Sequence, residues 1–257
     1  MQIGTNKEAI DIAYSFFRAN IGISLGIVTI MAVAIILQTL PTIGSIFAII
    51  YAILTLSIQI YIGRSVWSID TPKDIKDIAS NANIKDILLS AYSEAIGATM
   101  GFLLITILFM MLFGYIISQT IDLELLQKAI SANNVEAVSD MLFKAFTSPA
   151  MIIFFIIVLL FTYLVPAVIG RVMVSESAGE AFVASMGFFH PTVWKRVFTN
   201  GSYAKIVTIW SLILFVAFMI LSILFSSLIL LPLGFVVLYM LLLYNAVIYA
   251  FAYNTIE

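Results

Sequence analysis

Apolar and polar positions are segregated along this chain into long blocks. Four runs carry no charged side chain, at 19–63, 95–121, 145–170 and 206–256, and the intervening segments hold nearly all the Asp, Glu, Lys and Arg. Crossing about 30 Å of hydrocarbon takes about 20 apolar residues of helix, and only a helix or a closed barrel satisfies its own backbone there. Barrel strands would read as alternating segments of about ten residues, which these runs do not. The second and third runs each hold one span, predicted at 96–118 and 148–170. The first is double length and breaks at Thr39-Leu40-Pro41-Thr42, where proline removes a donor and biases its predecessor away from helix; this predicts spans at 20–39 and 43–63. The last divides near Ser226, Ser227 and Leu231-Pro232-Leu233-Gly234, predicting spans at 206–227 and 232–253. The expected fold is all-α: a polytopic membrane helix bundle with six transmembrane helices, one membrane domain over 1–257.

Short segments of helical periodicity precede the span pairs. Ile10, Ala13, Tyr14 and Phe17 fall at i, i+3, i+4 and i+7, and Ile84, Ile87, Leu88, Ala91 and Tyr92 do the same, so each is expected to lie along the membrane interface with its apolar face down. These segments resemble one another. Glu8-Ala9-Ile10-Asp11-Ile12-Ala13-Tyr14-Ser15-Phe16-Phe17 aligns with Glu180-Ala181-Phe182-Val183-Ala184-Ser185-Met186-Gly187-Phe188-Phe189, Ala13-Tyr14-Ser15 recurs as Ala91-Tyr92-Ser93, and Ile62-Gly63-Arg64 recurs as Ile169-Gly170-Arg171. The expected organisation is three repeats of interfacial helix, span, turn and span. Residues 119–147 interrupt the second repeat and read as an extracytoplasmic hairpin of two short helices, 122–130 and 135–146, broken at Ser131-Ala132-Asn133-Asn134. That hairpin is expected to be a connector, a docking cap or a lid.

The order of an entry segment bearing Glu8-Ala9 and Ala13-Tyr14, or Glu180-Ala181 and Phe188-Phe189, followed by span, turn and span, resembles uncharacterised prokaryotic six-helix integral membrane proteins. It is also similar to the membrane domain fused to some glycerophosphodiester phosphodiesterases. The resemblance implies the six-helix fold over nearly the whole chain and carries no catalytic residues to transfer.

Composition narrows the chemistry. Of 257 residues, 63% are hydrophobic and 10% charged, with a mean hydropathy of +1.14, far from a soluble domain. The absence of Cys excludes disulfides, Cys-ligated zinc and iron–sulfur clusters within the chain. One histidine, His190, leaves no second imidazole for a two-histidine haem or zinc site. A net charge of −2 offers no basic field for nucleic acid, and no G-x-x-x-x-G-K-[ST] loop is present. No catalytic residue, metal ligand or cofactor is therefore assigned, and an enzyme is not expected.

The residues singled out serve membrane and packing roles. Gly22 and Gly26, like Gly97 and Gly101, form G-x-x-x-G pairs that allow close helix approach. Arg64, Trp67, Arg171, Trp194, Lys195, Arg196 and Lys205, along with Trp210, sit near span ends, where cations snorkel to headgroups and indoles anchor at the interface. No ionisable group falls at the centre of a span, so an ion-driven carboxylate pump is not expected; Gln59, Thr162 and Asn245 are the neutral groups that a polar path would use. The leading reading is a non-enzymatic scaffold or accessory protein organising membrane proteins or lipids. The alternative is a transporter or channel for a neutral or amphiphilic solute. Expected partners are membrane lipids and a membrane protein or second copy of the chain.

Lys7, Arg18, Arg64, Lys73, Lys76, Lys85, Arg171, Lys195, Arg196 and Lys205 fall on one side of the predicted topology, and only Lys128 and Lys144 on the other. The positive-inside rule then places the chain in the cell membrane, multi-pass, with both termini cytoplasmic; Glu8 and Asp11 argue against a cleaved signal peptide. Because no native Cys competes, Ser131→Cys should react with an impermeant maleimide from outside intact cells and Ser80→Cys only after permeabilisation. The reverse pattern would invert the topology.

Overall fold

The computed structural model describes residues 4–69 and 74–257; Lys73, one of the cations counted above, lies outside the described residues. All regular structure among them is helical. The six helices long and apolar enough to cross a membrane are α2 (Ile21–Gln38), α3 (Gly44–Trp67), α6 (Tyr92–Thr120), α9 (Pro149–Met173), α12 (Gly201–Phe225) and α13 (Leu231–Ile256). Shorter helices stand between or before them: α1 (Asn6–Ala19), α4 (Asp74–Asn81), α5 (Ile84–Leu89), α7 (Leu123–Ser131), α8 (Val135–Phe146), α10 (Ala178–Ser185) and α11 (Pro191–Thr199), with a 3-10 turn over Met186–Phe189. The chain is a multi-pass membrane protein of all-α fold. Helices α6 and α12 begin four to five residues before their predicted spans, because an uncharged run marks the hydrocarbon while the helix itself continues past Glu94 and Lys205.

The described residues form two compact units, one within Met1–Gly101 plus Leu164–Glu257 and the other Phe102–Tyr163. In the larger unit each entry helix starts with the same chemistry. Thr5 accepts from the Glu8 amide at 3.2 Å while Glu8 Oε2 accepts from the Thr5 amide at 2.7 Å. Asn83 Oδ1 accepts from the Asp86 amide at 2.9 Å, and Ser177 Oγ from the Glu180 amide at 3.3 Å. A cap with an acidic residue three positions on satisfies orphan donors at a helix start, a contribution of about 1 kcal/mol each. The resemblance between 8–17 and 180–189 thus begins with one capping pattern. It diverges at the far end, where α1 runs on to Ala19 while the second copy tightens into the 3-10 turn and is followed by α11.

Contacts between elements recur in a threefold order. Each entry helix packs on the first span of another repeat: α5 on α2, with Ile84 Cδ1 3.2 Å from where a Gly26 Cβ would stand; α10 on α6, with Ala178 O and Ser185 Oγ against Gly97 and Gly101; and α1 on α12, where Asn6 Nδ2 donates to Ile206 O at 3.1 Å. The second spans meet at their C-terminal ends. Gly63 of α3 receives the Met173 side chain of α9, Gly170 of α9 receives Tyr253 of α13, and the Tyr253 ring lies 5.9 Å from that of Trp67 on α3. The apolar stretches of the second spans α3, α9 and α13 are 39%, 33% and 50% buried, against 28%, 17% and 22% for the first spans. Helix α13 is the most enclosed, packed by α1, α2, α3 and α12, and its Tyr239, Tyr244, Tyr249 and Tyr253 are all buried.

Two turns join spans directly. After Gln38 the chain reverses through Thr39, whose amide and hydroxyl both donate to Ile36 O, and it re-enters at Gly44, where any Cβ would meet Gln38 O. The other turn ends α12 at Phe225 and restarts at Leu231, with Pro232 in the first turn of α13, where its missing N–H is harmless. Pro166 instead lies inside α9. There the Ala167 amide donates to the buried Tyr203 hydroxyl at 3.3 Å, so α12 supplies an acceptor at the proline-disturbed turn.

The smaller unit holds the stretch of α6 from Phe102, α7, α8 and α9 up to Tyr163. Phe109 meets Phe161 edge-on at 4.9 Å and Phe154 at 6.0 Å, above a core of Ile116, Met151 and Phe154. Asp122 and Asn134 cap the two short helices α7 and α8, and Asn133 turns between them at φ 51°, a left-handed conformation that Asn tolerates.

Leucine at Gly97 or Gly101 should displace α10 and cost about 1–3 kcal/mol as an overpacked contact, whereas Gly22→Leu should change stability by under about 0.5 kcal/mol, since no atom lies within 4 Å of its Cβ position. Thermal unfolding in detergent would separate them; equal losses at Gly22 and Gly97 would contradict this packing.

Candidate functional site

The densest polar arrangement in the larger unit lies where three helix ends converge. Arg64 sits in the last turn of α3 and Glu94 in the first turn of α6. Arg64 Nη2 pairs with Glu94 Oε1 at 2.7 Å and also donates to Ser175 O at 2.5 Å, while Nε donates to Met173 O at 3.0 Å. Ser93 Oγ donates to Glu94 Oε2 at 2.5 Å. One guanidinium thus closes the carbonyl end of α9 and neutralises a carboxylate that is 5% exposed. A planar fork with several donors suits this task better than a point charge.

Arg64 was expected to reach for headgroups, and the side chain instead turns into the protein, with 36% of its surface exposed. Trp67, Met173, Val174 and Glu176 join Arg64 and Glu94 around a cavity of about 480 Å³. A neighbouring cavity of about 400 Å³ is lined by Arg171, Val174, Ser175, Gly179, Glu180, Val183, Ala184 and Tyr253. Here α10 starts, with Glu180 Oε2 accepting from the Glu176 amide at 2.8 Å.

The C-terminal carbonyls of α13 are closed in a similar way. Arg196 Nη1 reaches Ile256 O at 3.5 Å, and Asn200 Nδ2 donates to Thr255 O. Trp194 Nε1 donates to Phe188 O at 2.6 Å and its ring stacks on Phe198 at 5.6 Å, while Lys195 and Lys205 are exposed. Trp210 departs from the expected interface role. It is 2% exposed and its indole donates to Asn245 Oδ1 at 2.8 Å, joining α12 to α13.

That bond also fixes Asn245, one of the three candidate path residues. Gln59 is buried in α3. Thr162, in the smaller unit, donates to Val158 O of its own helix at 2.9 Å. Residues that sequence reasoning passed over carry comparable weight. Asn6 accepts from the Tyr244 hydroxyl at 2.6 Å while donating to Ile206 O, so a single buried amide ties α1 to α12 and α13. Asn6 is visible in sequence only as the residue after a helix cap, and Glu94 only as an acid abutting the third apolar run. Among the described residues no group of three His, Asp or Glu side chains could hold a metal.

Removing Glu94 by Ala should cost about 2–4 kcal/mol, at the low side of buried-pair losses because Arg64 keeps its two carbonyl acceptors and some solvent. Arg64→Lys should lose a comparable amount, since an ammonium cannot span all three acceptors. Thermal unfolding of both single variants and the double variant tests the coupling, and additive losses would show that the pair contributes no joint term. In comparison with known proteins, the chain matches no family model, no curated protein and no solved structure.

Proposed function

We propose that this chain is a non-enzymatic integral membrane protein that organises or accompanies other membrane components, residing in the cell membrane with both termini in the cytoplasm. The observation that carries the reading is the use made of polar groups inside the larger unit. Asn6, Arg64, Glu94, Tyr203, Trp210, Tyr244 and Asn245 are each spent on bonds that tie one helix to another, which is what a rigid framework requires. A second support is the apolar surface of the smaller unit, where Met110, Met111 and Leu159 are each about two-thirds exposed and offer packing area to lipid or to another membrane helix. The orientation rests on the charge balance. The meeting of the C-terminal ends of α3, α9 and α13 at one end of the larger unit supports a common direction of threading for these three helices.

Extraction from the native membrane into polymer-bounded nanodiscs, followed by mass spectrometry of the intact particle, tests this. A second protein in fixed stoichiometry, or a defined lipid set that survives mild delipidation, is the expected result. A lone chain with lipids in bulk proportion would oppose it, and a retained neutral solute would favour the transport reading.

A further inference from the structure

Helix α11 is held on the protein by Val193 and Val197, both buried. Phe189 and Phe198 are 54% and 52% exposed, and Lys195, Arg196 and Lys205 are exposed beside them. Between Glu180 and Glu257 the chain contains no acidic residue at all; Arg196 reaches Ile256 O, next to Glu257, which leaves Lys195 and Lys205 as the two cations here with no acidic neighbour in sequence. Among the described residues, neither Lys195 nor Lys205 is in an ion pair. Trp194 stacks on Phe198 and anchors through Phe188 O, which holds one of the exposed rings in place next to the cations.

Exposed aromatic rings flanked by long cationic side chains match the bilayer interface, where the ring enters the glycerol and upper acyl region and the ammonium reaches the phosphate. Charge complementarity decides which lipid. A zwitterionic headgroup presents no net charge to an uncompensated cluster, whereas an anionic one does. We propose that α11 with the start of α12 is a docking surface for anionic phospholipid headgroups, in which Lys195 and Lys205 bind headgroup phosphates and Phe189 and Phe198 bury in the leaflet. The inference deepens the lipid arm of the proposed function. A stoichiometric protein partner without any lipid preference would sink this inference and leave that reading standing.

The test uses the absence of native Cys. A bimane fluorophore on Thr199→Cys, in the full chain reconstituted into vesicles of phosphatidylcholine and phosphatidylglycerol, is quenched by whichever lipid carries bromine on its acyl chains. Brominated phosphatidylglycerol should quench at a lower mole fraction than brominated phosphatidylcholine. That preference should fall about fivefold for each cation removed, from the roughly 1 kcal/mol that each contributes near an anionic surface. Lys195→Gln with Lys205→Gln should therefore nearly abolish it. Lys195→Arg with Lys205→Arg should retain it, and Lys128→Gln with Lys144→Gln should leave it unchanged. Equal quenching by the two lipids in the unsubstituted chain overturns the proposal, as does a preference that survives the double Gln variant or is lost in the double Arg variant.

Discussion

The structure of the larger unit depends on the close approach of three second spans at their C-terminal ends. Lipid supplies no hydrophobic drive for helices to associate, so association must come from packing and from polar groups that find partners in protein. Gly63 and Gly170 remove the side chains that would hold α3, α9 and α13 apart. Arg64 then closes the contact by taking the last carbonyls of α9 along with the carboxylate of Glu94. Helix ends are where unsatisfied carbonyls accumulate, and a single guanidinium placed there both satisfies them and fixes the spacing of the helices.

From this convergence the threefold order follows. The first spans α2, α6 and α12 are the less buried members of their pairs. Each first span is then covered at one end by an entry helix from another repeat, and the surface it offers decides how closely that helix sits. On α6 the glycine pair allows the backbone of α10 into contact, while on α2 only Gly26 is approached, by the flexible end of Ile84. The entry helices are consequently load-sharing parts of the bundle. Ala9, Ile12 and Phe16 of α1 face protein, and so does Ala13 of the expected membrane-facing stripe, of which Ile10 and Tyr14 remain outside. One helix thus serves two faces.

Buried polar groups are costly in hydrocarbon unless paired, and their pairing here is structural. Tyr203 provides an acceptor beside Pro166, Trp210 holds Asn245, and Asn6 serves α12 and α13 together. Lys195 and Lys205 remain exposed on α11 and α12. A framework interior with a cationic, aromatic edge is coherent with the proposed role of holding other membrane components in place.

Hydropathy and proline position determined the six spans and the two direct turns, because uncharged length and proline position are local properties that the bilayer reads directly. The capped entry helices and the repeated Gly-Arg exits were also legible as short matches, since caps and close-approach glycines recur at fixed positions. Only the tertiary structure decided which partners those residues meet. Gly22 and Gly97 occupy equivalent places in sequence, yet one faces open space and the other the backbone of α10. Trp210 has the span-end position of an interface anchor and lies buried on Asn245, and Arg64 turns away from the headgroups toward Glu94, thirty residues along the chain. Such outcomes depend on which helices become neighbours, and in lipid that choice rests on packing and pairing between distant segments, which no local pattern encodes.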